Sequence, residues 1–117
     1  MKNYLAVYLG NEASRKASGW DALSEDARKK REQEGMQAWG AWVGTHKASI
    51  VDTGAPLGKT LRASKSGIEG IRNNLTGYTV VRAESLEAAA RMFEGHPHFT
   101  IFPGDSIEIV ECLPMPG

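Results

Sequence analysis

The chain has 117 residues, 41% hydrophobic and 24% charged, and its Lys plus Arg and Asp plus Glu counts are both 14. This size suits a single domain, 1–117, and the charge balance excludes the basic surface of a nucleic-acid binder. With no apolar run of membrane length, no signal-peptide pattern and only one cysteine, Cys112, we expect a cytoplasmic protein without disulfides or membrane contact.

The residue pattern in the first half of the chain predicts a strand, a linker and one long helix. Residues Asn3 to Leu9 alternate with apolar side chains on both faces, which indicates a strand buried on both sides. Gly10 to Leu23 is rich in small and polar residues and is interpreted as a linker. Ser24 is a good N-cap followed by two acids, so a helix should run from there to about His46. Its second half carries an apolar stripe that should face the core: Met36, Trp39, Trp42 and Val43.

Three glycines, Gly35, Gly40 and Gly44, interrupt this predicted helix. Each glycine costs a helix about 1 kcal/mol relative to alanine. We therefore expect some of them to allow close approach of the helix backbone to the sheet.

The second half of the chain predicts more strands and a second helix. Ser85 is positioned to cap that helix and Gly95 to end it. Leu86, Ala89, Ala90 and Phe93 should face inward. The predicted strands are Ala48 to Asp52, Gly77 to Ala83 and Ser106 to Cys112, with a small hairpin between Lys59 and Ile71.

The order strand, helix, strand, hairpin, strand, helix, strand predicts an α+β fold of the ferredoxin-like βαββαβ type. Such a fold has an antiparallel sheet with both helices on one face. Two helices leave the other face uncovered, although the first strand is apolar on both sides. A second copy of the chain is the simplest cover, so we expect a homodimer.

In this order and spacing, four segments resemble the YCII-related family of dimeric α/β-barrel proteins. They are YLAVYLG at the start, DTGAPLG after the second strand, GYTVVRAESLEAAARMFEGHP, and SIEIVECLPMP at the end. The resemblance covers Tyr4 to about Met115. It implies the ferredoxin-like fold, a dimer and a small-molecule pocket.

The chain also departs from that family at the positions where chemistry is expected. The DGPF signature of one branch is replaced by SKSGIEGIRNNLTGY. The resemblance implies an acid–base pair made of a histidine in the first helix and the aspartate of an Asp-Pro step. Here Met36 and Gln37 lie in place of that histidine, and the step is His96-Pro97. The family's pair is therefore not carried over intact.

The candidate site is the segment EGHPHF, in which His96 and His98 follow the second helix. Histidine exchanges protons near neutral pH, so these residues are candidates for acid–base catalysis. Asp52 and Asp105 are the carboxylates that could orient an imidazole. We expect a pocket lined by the histidine loop and by Tyr4, Tyr8, Trp39 and Tyr78.

Other interpretations of the histidines stay open. His96 and His98 could ligate a metal, although the sequence offers no certain third ligand. They could instead be structural, with His96 capping the carbonyls at the helix end. No motif implies a cofactor, since GAPLGK lacks the spacing of a phosphate-binding loop. The function is then either small-molecule binding with acid–base chemistry or that of a non-catalytic homodimeric module.

Overall fold

The structure, a computed structural model, describes residues 1–116. Short 3₁₀ turns at Trp20–Ala22 and Lys47–Ser49 flank the longest helix. The strands are β1 (Lys2–Leu9), β2 (Ile50–Asp52), β3 (Thr60–Ser64), β4 (Gly67–Ile71), β5 (Leu75–Ala83) and β6 (Ser106–Glu111). The helices are α1 (Glu12–Ser18), α2 (Glu25–His46), α3 (Leu86–Arg91) and α4 (Pro97–Thr100).

Four strands form one antiparallel sheet in the order β2-β5-β1-β6. Strand β1 therefore lies inside the sheet, between β5 and β6. This order, with α2 and α3 against one face, is the ferredoxin-like arrangement. The predicted α+β fold class is confirmed.

The core lies between this sheet and the helices. Tyr4, Ala6 and Tyr8 alternate along β1 and are at most 2% exposed. Their partners in register on β5 include Val81, which is fully buried. Helix α2 packs on this layer through two tryptophans, and the Trp42 indole Nε1 donates a hydrogen bond of 2.7 Å to the Met92 carbonyl. This bond ties α2 to the end of α3.

The opposite face of the sheet is uncovered. Its apolar side chains come from three neighbouring strands and include Leu5, Val7, Val80 and Val110. The first three are only half-buried, and Val110 is 50% exposed. The molecule is accordingly flat, with extents of 54 × 43 × 19 Å. Strand β1 is thus fully buried on one side only, since no helix or strand of residues 1–116 covers the other.

The segment 10–23, predicted to be a linker, contains a helix. Asn11 caps α1 by accepting a hydrogen bond from the Ser14 amide, and the Ser14 hydroxyl in turn accepts one from the Asn11 amide. Gly19 ends the helix in a left-handed conformation, with φ 71°. The prediction missed α1 because no α1 residue is buried, so no apolar stripe marks it.

The second predicted helix is shorter than expected. Helix α3 ends at Arg91, and turns lead on to Gly95. Ala89 and Phe93 are buried as predicted, but Leu86 is 49% exposed and Ala90 is also exposed. In the apolar stripe predicted on α2, Trp39, Trp42 and Val43 are partly buried, but Met36 is 66% exposed and does not face the core. In residues 1–116 no helix is both long enough and apolar enough to cross a membrane.

The predicted hairpin is present as strands β3 and β4, which pair with each other and not with the main sheet. An ion pair between Arg62 and Glu69 lies on one of its faces. On the other face Leu61 and Ile68 are 74% and 75% exposed. A two-stranded hairpin with an exposed apolar face has little stability of its own.

The three α2 glycines differ in their surroundings. A Cβ at Gly35 would overlap the Phe102 ring, whereas a Cβ at Gly40 or Gly44 would meet nothing within 4 Å. Only Gly35 therefore serves a close approach, and its neighbour is a loop side chain rather than the sheet.

Gly35→Ala should lower the free energy of unfolding by about 1–2 kcal/mol because the Phe102 ring must move. Gly40→Ala, the control on the same helix, should raise it by up to about 1 kcal/mol through helix propensity. Urea unfolding of both variants measures the difference. Equal effects of the two substitutions would contradict the packing described for Gly35.

Candidate functional site

The two histidines lie at the start of the short helix α4, beside the end of β1. Gly95 ends the preceding turn with φ 66°, and Pro97 occupies the first helical position. His96 is the N-cap of α4, and its Nδ1 accepts a hydrogen bond of 3.0 Å from the His98 amide. His96 therefore caps the amides of the following helix. The imidazole does not cap the carbonyls at the end of the preceding helix, which was one of the open interpretations; only the His96 amide meets a preceding carbonyl, that of Phe93, at 3.2 Å.

The His96 ring is enclosed by aromatic side chains and is 1% exposed. The indoles of Trp39 and Trp42 meet it edge to face, with ring centroids 4.4 and 4.8 Å away. Its Nε2 is buried and has no hydrogen-bond partner among residues 1–116. Burial, with smaller contributions from the charges of His98 and His46, lowers the pKa of His96 to about 4. The ring is neutral at pH 7.

The His98 ring is fixed by the end of β1. Its Nε2 lies 2.7 Å from the Leu9 carbonyl oxygen. Because a carbonyl only accepts, Nε2 carries the proton and Nδ1 holds the lone pair of the neutral ring. Burial lowers the pKa of His98, and the backbone of Leu9 and Ser106 and the charge of Asp105 oppose this shift. His98 is thus a neutral imidazole of one defined tautomer.

Gly104 lies directly against the ring and the carbonyl of His98. Its amide donates a hydrogen bond of 3.0 Å to the His98 carbonyl. A Cβ at Gly104 would overlap both the His98 ring and that carbonyl. Only glycine at this position lets the chain pass so close to the imidazole.

The predicted carboxylates do not contact the imidazoles. Asp52 is exposed and accepts a hydrogen bond of 2.8 Å from the Gly54 amide, as expected of a turn residue. Asp105 is exposed and accepts one of 2.9 Å from the Ser106 hydroxyl. Asp105 acts on His98 only through its charge. The orienting acceptor is the Leu9 carbonyl, because the strand end lies nearer the ring than either acid.

A cavity of about 690 Å³ opens beside His98. Its volume lies in the range of pockets that bind small molecules. Tyr8, Trp39 and Tyr78 line it as expected, whereas Tyr4 and His96 are not part of its wall. The wall is mostly apolar and is completed by Gly54, Pro56, Met36, Phe102 and Gly104, among others.

Tyr8 connects the cavity to the histidines. Its ring centroid lies 5.3 Å from that of His96 and 5.3 Å from that of His98. The Thr79 hydroxyl donates to the Thr53 carbonyl at 3.0 Å, so the Tyr8 hydroxyl is the donor in its 2.7 Å bond with Thr79. Burial raises the pKa of Tyr8. Tyr8 is therefore a neutral phenol held at the cavity wall.

Helix α1 supplies two charged residues of the cavity wall, Glu12 and Arg15, that the sequence interpretation missed. The Arg15 Nε donates to both carboxylate oxygens of Asp21, at 2.9 and 3.0 Å. The Ser14 hydroxyl lies 3.1 Å from the Pro103 carbonyl, which links α1 to the loop after α4. The capping pattern at Asn11 and Ser14 was the available signal for this helix.

The donor set of the histidine loop does not suit a metal ion. Of the ring nitrogens, His96 Nδ1 and His98 Nε2 are already hydrogen-bonded within the protein. Within residues 1–116 no group of three or more His, Cys, Asp or Glu side chains could hold a metal ion.

The fold and cavity together define a ferredoxin-like α+β protein with a ligand-sized pocket at the end of its central strand. A solved structure with a similar fold is 5-chloro-2-hydroxyhydroquinone dehydrochlorinase (TftG) from Burkholderia phenoliruptrix AC1100, in complex with 2,5-dihydroxybenzoquinone. It is 16% identical, with a TM-score of 0.50, over 92% of this chain and 89% of that one. No protein-family model and no curated protein matches the chain. The likeness shows the fold alone.

The buried imidazoles make stability depend on pH. An unfolded histidine has a pKa of about 6.5, whereas the folded pKa of His96 is about 4. Between these values the unfolded state binds more protons. The free energy of unfolding should therefore fall by about 2 kcal/mol from pH 7 to pH 5.

Urea unfolding at several pH values measures this dependence. The lowered pKa of His98 should add to the fall. In His96→Asn, which does not titrate in this range, the pH dependence should be clearly weaker. An unfolding free energy that is constant or rises between pH 7 and pH 5 would rule out neutral buried imidazoles.

Proposed function

We propose that this chain is a YCII-related small-molecule-binding protein in which His98 exchanges a proton with the ligand. The observation that carries this proposal is the 690 Å³ cavity beside an imidazole whose Nε2 proton is held by the Leu9 carbonyl. The neutral ring has its lone pair on Nδ1, so Nδ1 is the base. A lone pair on a fixed ring is what a general base requires.

The ligand class follows from the cavity wall. Tyr8, Trp39 and Phe102 offer aromatic surfaces, with ring centroids 5.0 Å apart for Tyr8 and Trp39 and 6.1 Å apart for Trp39 and Phe102. Aromatic walls favour a flat ring. The dehydrochlorinase of similar fold was solved with 2,5-dihydroxybenzoquinone. We therefore propose a planar hydroxylated ring as the ligand of this cavity.

The proposed chemical step is a single proton transfer. A ligand hydroxyl gives its proton to His98 Nδ1, and the electron pair of the O–H bond stays on the ligand oxygen. The imidazolium formed keeps its Nε2 proton on the Leu9 carbonyl, and the charge of Asp105 favours the cationic ring. The ligand anion balances the new charge. The low folded-state pKa of His98 makes return of the proton easy.

The second candidate function is a non-catalytic homodimeric module, and the uncovered apolar face of the sheet favours it. The radius of gyration is 16.1 Å, whereas about 13 Å is expected for a compact domain of this size. We propose that a second copy covers Leu5, Val7, Val80 and Val110. The exposed apolar side of the β3–β4 hairpin also supports burial against a partner chain. A dimer is compatible with both candidate functions.

Binding of 2,5-dihydroxybenzoquinone, followed by its absorbance, tests the ligand site. His98→Asn should weaken binding by about tenfold or more, because the variant loses the imidazole of the cavity wall that can pair with the ligand oxygens. Phe99→Ala is the control, since Phe99 lies in the same short helix, is 39% exposed and does not line the cavity.

Thermal unfolding of both variants establishes that they are folded. Wild-type protein that shows no binding at millimolar ligand would exclude the proposed ligand class. Equal affinity of wild type and His98→Asn would exclude the proposed role of His98.

Light scattering after size exclusion tests the dimer. The wild type at micromolar concentration should have about twice the chain mass of 12.7 kDa. Val110→Lys should weaken the dimer at least tenfold by placing a charge in the covered face. Leu86→Lys is matched in exposure, 49% against 50%, but lies on the helical side and should leave the mass unchanged. A wild-type mass of one chain would defeat the proposal.

A further inference from the structure

We propose that His96 is a positioning residue that sets the orientation of His98 and takes no part in proton exchange itself. This inference rests on the proposed function of His98. It assigns different roles to two histidines that the sequence presents as an equivalent pair.

The first argument is the hydrogen bond between the two residues. His96 Nδ1 accepts the His98 amide proton at 3.0 Å, in a place where both side chains are buried. This bond fixes the first turn of α4, because Pro97 between them has a nearly fixed φ. The direction in which the His98 side chain leaves the backbone is therefore set by His96.

The second argument is that His98 is held at three points. Its amide donates to His96, its carbonyl accepts from the Gly104 amide, and its ring Nε2 donates to the Leu9 carbonyl. The first two bonds place the backbone, and the third selects the tautomer. Loss of the first bond would leave a buried amide without an acceptor and would free the helix start to move.

The third argument is that His96 has no route to a ligand. It is absent from the cavity wall, and its Nδ1 is already occupied. Its Nε2 is sealed among rings without a hydrogen-bond partner in residues 1–116. A group in this position can accept no proton from a ligand without opening the aromatic cluster.

The surroundings also explain why an imidazole suits this capping position. Aspartate, serine and asparagine are the usual N-caps. An aspartate here would bury a charge among Trp39, Trp42 and Phe93, and serine would leave part of the space between the rings empty. A neutral imidazole supplies an acceptor and fills the space with an aromatic ring.

Two substitutions at position 96 separate the effect of the hydrogen-bond acceptor from the effect of the aromatic ring. His96→Asn keeps an acceptor for the His98 amide but loses the ring, whereas His96→Phe keeps a ring and loses the acceptor. His46→Asn is the control, because His46 also packs on Trp42, at 5.1 Å between centroids, but makes no bond to α4. Nitrogen-15 NMR of the His98 ring reports its tautomer and its titration in each variant.

We expect the tautomer of His98 to depend on whether residue 96 provides a hydrogen-bond acceptor for the His98 amide. His96→Asn and His46→Asn should keep the wild-type His98 tautomer and should bind 2,5-dihydroxybenzoquinone within about threefold of the wild type. His96→Phe should show a mixture of His98 tautomers, a changed His98 titration and binding weakened by about tenfold. Binding by His96→Phe should be weaker because the His98 ring no longer holds one orientation toward the ligand.

Two outcomes overturn the inference. One is a wild-type His98 spectrum in folded His96→Phe, and the other is an equal change of the His98 ring in His96→Asn and His96→Phe. If His96→Phe does not fold, His96→Ala replaces it as the variant without an acceptor and should show the same mixture of His98 tautomers, and a wild-type tautomer in folded His96→Ala would overturn the inference. The NMR readout needs no ligand, so a failure of the proposed ligand site would be seen separately, as an absence of binding in the wild type.

Discussion

The hydrogen bond between His98 Nε2 and the Leu9 carbonyl is the constraint on which the site depends. It joins helix α4 to the end of strand β1 at 2.7 Å. His96 and Gly104 support this bond from either side, one as a cap and the other by leaving room for the ring. The cavity wall beside β1 therefore carries an imidazole in one defined orientation.

The surroundings of this bond determine its chemistry. Aromatic rings around His96 and Tyr8 exclude water, so the imidazoles are neutral and the tyrosine keeps its proton. Among residues 1–116 no carboxylate is paired with His98, unlike the histidine–carboxylate pair implied by the family resemblance. A backbone carbonyl orients the ring instead.

Alternating apolar residues and the cap at Ser24 were enough to predict the sheet strands, helix α2 and the ferredoxin-like order. Helix α1 was missed because its sides are exposed and it carries no apolar stripe. The site was predicted less well. His98 lies at the cavity, but the partner of its ring is the carbonyl of Leu9, and a backbone group shared by every residue leaves no sequence signal. The burial of His96 likewise depends on rings distant in sequence, Trp39 and Trp42.

The tautomer of His98 at pH 7 tests this account most directly. Long-range nitrogen–proton correlation in the wild-type protein distinguishes a protonated ring nitrogen from one with a free lone pair. We expect protonated Nε2 and unprotonated Nδ1, because Nε2 donates to Leu9. A ring protonated on Nδ1 alone, or on both nitrogens at pH 7, would contradict it.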